Sequence, residues 1–216
     1  MSSLSELRKR HPDNFGWRLW NVWGDGRLYS AYQCDAFADE PTFTAGCSHG
    51  NDVPSDACAC GVHYVTNTEN FFTTVEYLNN PATAWDWPLW SQVYTFGAAI
   101  GGTTLDFNEG EFWLERPRRC ATYRILGIVL PGLSSNSRFK VLSALVLSSP
   151  RQQELAARYD LPEVHRHKAH LAERYGVPIM TGQYSIGDYG NLVHAGRALE
   201  QKLDKCDTLA EVASLG

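Results

Sequence analysis

Cys47-Ser48-His49-Gly50-Asn51-Asp52-Val53-Pro54-Ser55-Asp56-Ala57-Cys58-Ala59-Cys60-Gly61 gathers three of the chain's six cysteines and one of its seven histidines. Between the ligand-type residues runs a loop with no apolar pattern of its own. Such a loop cannot bury enough surface to offset the entropy of ordering it. A tetrahedral zinc does that work by binding thiolates and an imidazole, and Cys47, His49, Cys58 and Cys60 make a Cys₃His shell. Glycine after the second thiol of Cys58-Ala59-Cys60-Gly61 permits φ > 0, so backbone amides can turn toward the sulfurs. The plainer alternative is a set of reduced, half-buried cysteines packing as small hydrophobes. Cysteine and histidine without further cysteines favour zinc over iron.

Downstream of the loop, Val62–Val65 reads as a short strand, and Thr66-Asn67-Thr68-Glu69 as a capping box with Thr66 as N-cap. The helix that follows puts Phe71, Phe72, Val75 and Leu78 on one side and stops at Asn79-Asn80-Pro81. Upstream, Gly16–Trp23 reads as a central strand, and Gly24-Asp25-Gly26 as the turn to a partner strand over 27–31. Residues 33–46 are expected to be irregular. Beyond the helix, strands are expected at Gln92–Ala98, Thr103–Phe107, Glu111–Glu115, Cys120–Leu130 and Val141–Leu147, with glycines as turns or bulges. From Ser149-Pro150-Arg151-Gln152 the pattern is helical, with segments at about 150–159, 163–175, 188–205 and 207–214, and Gly176 and Pro178 closing the second. The expectation is an α+β fold. A twisted, mainly antiparallel sheet carries one capped helix and the zinc knuckle, followed by a helical extension. The division is 1–15 as lead-in, 16–148 as the knuckle domain and 149–216 as the extension.

Charged residues make up 20% of the chain and the net charge is −5, so no overall basic field invites nucleic acid. Arg116, Arg118, Arg119 and Arg124 are the candidates for a local basic patch. No apolar run reaches the roughly 18 residues that cross a bilayer, and the polar start lacks a secretion signal. These features, with clustered cysteines, point to a reducing cytoplasm.

Gly16-Trp17-Arg18-x-Trp20, then Cys47…His49…Pro54…Cys58-x-Cys60-Gly61, and later Glu115–Ile125 resemble a family of uncharacterised actinobacterial and actinophage proteins. That family reads G-[YF]-R-x-W, a cysteine, a histidine followed by a proline, and C-x-C-G-I-Y-A. The resemblance covers about residues 16–130 and implies the knuckle without implying an activity. Two departures bear on the fourth ligand. His49 stands further from its proline than in the family, and Val62-His63-Tyr64 replaces I-Y-A, which makes His63 a competitor. Cys34 is a third candidate, completing a Cys₄ shell.

The remaining chemistry is sparser. Glu163, His167 and His170 can share a helix face, with His165 nearby, as a second metal site or as a solvated charged face. Cys120 and Cys206 read as lone thiols. Arg18, Ser30, Glu109 and Glu111 are loosely similar to the Arg–Ser–Glu-x-Glu pattern of ADP-ribosyltransferases, where a carboxylate stabilises a cationic sugar. There is no phosphate loop, nucleophile elbow or H-E-x-x-H helix. The favoured expectation is a zinc-stabilised interaction protein meeting a protein partner through Trp85, Trp87 and Trp90, or else through none of them if they cap the core. An NAD-using transferase is the alternative.

Overall fold

The computed structural model describes residues 3–31, 36–79, 91–106, 114–133, 150, 154, 157, 167–184 and 190–206. They form the expected α+β fold: an open, mostly antiparallel sheet of eight strands with four helices. The strands are β1 (Phe15–Val22), β2 (Leu28–Ser30), β3 (Phe37–Ala38), β4 (Thr42–Thr44), β5 (Val62–Tyr64), β6 (Gln92–Leu105), β7 (Arg118–Leu133) and β8 (Ile179–Tyr184). The helices are α1 (Leu4–Arg10), α2 (Thr68–Asn79), α3 (Lys168–Tyr175) and α4 (Gly190–Asp204). No helix among the described residues is long and apolar enough to cross a membrane.

Sheet order runs β3-β2-β1-β6-β7-β4, with β5 and β8 also paired to β7. The antiparallel β6/β7 pair is the spine. The two segments read separately as Gln92–Ala98 and Thr103–Phe107 are one strand, and a register shift at Ile100/Thr103 absorbs the glycines between them. β7 then receives β5 at Arg118–Cys120, β4 at Thr122–Arg124 and β8 at Ile128–Leu133. Residues 33–46 are therefore less irregular than expected, since β3 and β4 lie within them. Trp17 and Val65 exchange backbone hydrogen bonds of 2.7 and 2.9 Å, which fasten the end of β5 to β1.

Both faces of the sheet are apolar, as the aromatic pattern of β1 requires. On one face Trp17 and Leu19 pack with Phe71, Phe72 and Val75 of α2 and with Leu192, Leu199 and Leu203 of α4. On the other, Trp20 and Val22 meet Tyr64, Cys120, Tyr123 and Ile128, together with Leu171 and Tyr175 of α3. Gly127 lets α4 lie flat on β7, because a Cβ there would come within 2.8 Å of Leu199 Cδ1.

Several local expectations change. The lead-in holds a true helix, α1, closed by a Ser3/Glu6 capping box. It is anchored by Arg8, whose guanidinium binds Glu200 and Asp204 at 2.8 Å each. The N-cap of α2 is Asn67, whose Oδ1 accepts from the Asn70 N–H at 2.9 Å. Thr66 gives its own N–H and hydroxyl to Glu115 instead. Between the helical segments expected at 163–175 and 188–205, within the part read as a helical extension, Ile179–Tyr184 is a parallel strand of the sheet. Gly176 and Pro178 do end α3, with Gly176 in the left-handed region at φ 58°. The strands expected at Glu111–Glu115 and Val141–Leu147 lie wholly or mostly outside the described residues.

Candidate metal centre

Cys47, His49, Cys58 and Cys60 converge, with ligand atoms all within 4.8 Å of one another. A tetrahedral centre with metal–sulfur bonds of about 2.3 Å and metal–nitrogen bonds of about 2.0 Å has edges of about 3.5–3.8 Å. The observed edges are 3.5 Å from Cys47 Sγ to Cys58 Sγ, 3.8 Å from Cys47 Sγ to His49 Nδ1, and 3.4 Å from His49 Nδ1 to Cys60 Sγ. Three of the six edges thus match a tetrahedral centre, and the four groups could hold a metal ion. Two thiolates on one short turn and a Cys-x-His pair on another explain why so irregular a loop brings them together.

Amides point at the sulfurs as expected. The His49 N–H lies 3.3 Å from Cys47 Sγ. The Cys58 thiol is lowered to about 6, first by the backbone N–H of Cys60 and next by the Asn51 side chain. Cys60 moves the other way, raised mainly by its hydrogen bond with Cys47 and then by desolvation. Thiols so close share charge unequally, and one ionises more readily than its neighbour. Metal binding here releases protons.

Gly61 ends the turn at φ 137°, and a Cβ on it would meet the Cys120 carbonyl at 3.2 Å and Arg119 Cβ at 3.3 Å. The loop thus sits directly against β7. Beneath it lies Arg119, fully buried. Its Nη1 donates to the carbonyls of Cys58 at 2.6 Å and Cys60 at 3.0 Å, and both Nη atoms reach the Ser55 carbonyl. Behind it Asp106 Oδ1 lies 3.5 Å from Arg119 Nε, and Asp106 Oδ2 lies 3.2 Å from His63 Nε2.

These contacts bear on some of the sequence alternatives. His63 sits on β5 opposite Arg119 and is paired with Asp106, outside the ligand cluster. Cys34 lies outside the described residues. The arginines read as a basic patch are largely occupied within the fold. Arg119 is inside the protein, Arg118 pairs with Asp13, and Arg116 donates to the Asp106 carbonyl. His167 and His170 stand with rings 5.9 Å apart in an edge arrangement. Glu163 and His165 lie outside the described residues, and the knuckle is the only such ligand group among those described. Cys120 and Cys206 are buried thiols.

Arg18 and Ser30 do come together, with Nη2 donating to Ser30 Oγ at 3.0 Å. Nη1 binds the His63 carbonyl at 2.8 Å, and the guanidinium lies 4.4 Å from the Trp20 ring centre. At 4% exposure Arg18 ties β1 to β2 and β5 inside the core and is not a surface residue. Glu109 and Glu111 lie outside the described residues, as do Trp85, Trp87 and Trp90. Comparison of the chain with protein-family models, curated proteins and solved structures finds no match in any of the three.

Proposed function

We propose that the chain is a small zinc-stabilised recognition protein that binds a protein partner. The observation that carries this reading is the convergence of four ligand atoms, all from protein side chains, on one surface loop. A shell completed by the protein leaves no position for water or substrate, which is the arrangement of structural rather than catalytic zinc. Three thiolates with one imidazole suit zinc among the common divalent ions. The metal's work is then to give shape to a loop that has no core of its own. Reduced thiols at this spacing fit a reducing compartment, the cytoplasm. Trp85, Trp87 and Trp90 are the proposed partner contacts, since tryptophan anchors dominate binding energy at interfaces.

The transferase alternative needs Arg18 on an open pocket, and its burial against Trp20 and the His63 carbonyl counts against that role. Elemental analysis of purified, chelator-washed protein should find one zinc per chain. Trp87→Ala or Trp90→Ala should weaken partner association by about 2 kcal/mol or more. A chain that carries no metal would remove the basis of the reading. NAD cleavage that disappears in Glu111→Gln would replace it with the transferase.

A further inference from the structure

We propose that Arg119 is the positioning residue of the metal centre, holding the ligand loop by its carbonyl groups so that its sulfurs and amides face the ion. This inference rests on the metal reading of the loop. Residues 45–60 include no buried residue, so apolar packing does little to fix the loop's conformation. Arg119 supplies what packing does not. Its fork grips the carbonyls of Ser55, Cys58 and Cys60, while Nη2 also reaches the Leu105 carbonyl of β6 at 3.4 Å. The guanidinium is planar, permanently charged and without acceptors, so it orients several carbonyls at once where a lysine ammonium would act as a point. With the carbonyls of both Cys58 and Cys60 fixed, the intervening backbone has little freedom. The Cys60 N–H is thereby kept on Cys58 Sγ.

Charge works in the same direction. A divalent ion with three thiolates and a neutral imidazole leaves the centre net negative. Arg119 stands between that centre and Asp106, a carboxylate only 7% exposed. Asp106 is held in turn by His63 and by its own N–H to the Pro117 carbonyl at 2.8 Å. Negative loop, positive guanidinium and negative carboxylate alternate from surface to sheet. Removing the middle charge would set Asp106 against the anionic centre. Outer partners of this kind orient ligands and tune the metal, and their loss typically weakens binding 10–100-fold.

The test uses the full chain loaded with Co2+, comparing wild type, Arg119→Met, Arg119→Lys and Asp106→Asn. Release to excess chelator should be about 10–100-fold faster in Arg119→Met, intermediate in Arg119→Lys and least changed in Asp106→Asn. The sulfur-to-cobalt charge-transfer band should move to lower energy in Arg119→Met, because sulfurs that lose amide hydrogen bonds donate electrons more readily. Leu199→Ala, a core change remote in sequence from the loop, should leave band and release rate as in wild type. A folded Arg119→Met protein with wild-type spectrum and release rate overturns the inference while the metal reading stands. Should Arg119→Met fail to fold, Arg119→Lys decides: faster release supports the role and a wild-type rate overturns it. A wild type that takes up neither Co2+ nor Zn2+ overturns the metal reading and this inference together.

Discussion

The helix-covered face of the sheet and the knuckle are ordered by opposite means. Around Trp17 the rings of Phe71, Phe72 and Phe96 lie with centroids 5.1–5.9 Å away, and every one of these side chains is buried. Across residues 45–60 every residue is exposed or half-exposed, and the loop is tied down by thiols, an imidazole and a guanidinium. The first region draws its stability from apolar area removed from water. The second has little such area, and what the structure shows holding it is a few directional bonds, those of Arg119 to its carbonyls among them. A chain can thus carry a surface of fixed shape without extending its core beneath it.

The difference can be broken first from the core side. Trp17→Ala removes the ring at the centre of the cluster and should lower unfolding free energy by about 3–5 kcal/mol, measured by denaturant titration of the zinc-loaded protein. Loss below about 1 kcal/mol would mean the cluster is not cooperative with the rest of the sheet. Glu200 is the next target. Its carboxylate accepts from Trp17 Nε1 at 2.9 Å and from Arg8 at 2.8 Å, and it also binds the Thr68 hydroxyl. Glu200→Gln keeps the shape but weakens charge-assisted bonds, so about 2 kcal/mol should be lost, with metal content unchanged. From the knuckle side, chelation should remove exchange protection from amides within 47–61 while those of β6 and β7 keep theirs. Global unfolding on chelation would show that the two regions form one cooperative unit.

The knuckle was legible because its ligands lie close in sequence and their chemistry is narrow. What spacing left open was the choice among His49, His63 and Cys34. The pairing of β5 with β7 turns His63 toward Asp106, outside the ligand cluster, while Cys34 lies outside the described residues. Arg119 was misread for the same reason: the carbonyls it holds are about sixty residues away. The strand expected at Cys120–Leu130 starts two residues earlier, at Arg118, and that extension is what carries Arg119 into the sheet. Ser3-Leu4-Ser5-Glu6 carries the capping box of α1, a signal as local as the ligand spacing of the knuckle. Ile179–Tyr184 alternates like a strand after Pro178, yet its parallel partner lies some fifty residues earlier, beyond the reach of any window.

The smallest effect is one of reactivity, and it sets Cys58 against Cys120. Cys58, in the loop, is lowered to about 6 by the Cys60 amide and Asn51. Cys120, in the core, is pushed up to about 12 by burial, against the opposing charge of Arg18. An ordinary cysteine ionises near about 8.5, and only the thiolate alkylates. In metal-free protein Cys58 should therefore gain reactivity as pH rises through about 6, ahead of Cys60, whose proton is held more tightly. Cys120 should stay unreactive across pH 5–9, being both protonated and shielded. Brief iodoacetamide pulses with peptide mass spectrometry read the three sites separately. Zinc should protect Cys47, Cys58 and Cys60 together and leave Cys120 as it was, because coordination draws negative charge off the sulfur and makes it a weaker nucleophile. Cys58 and Cys60 titrating alike near about 8.5 would show that the loop amides do not hold their sulfurs once the ion is gone. Labelling of Cys120 in the folded chain would show that the core opens as readily as the knuckle, which its close packing does not allow.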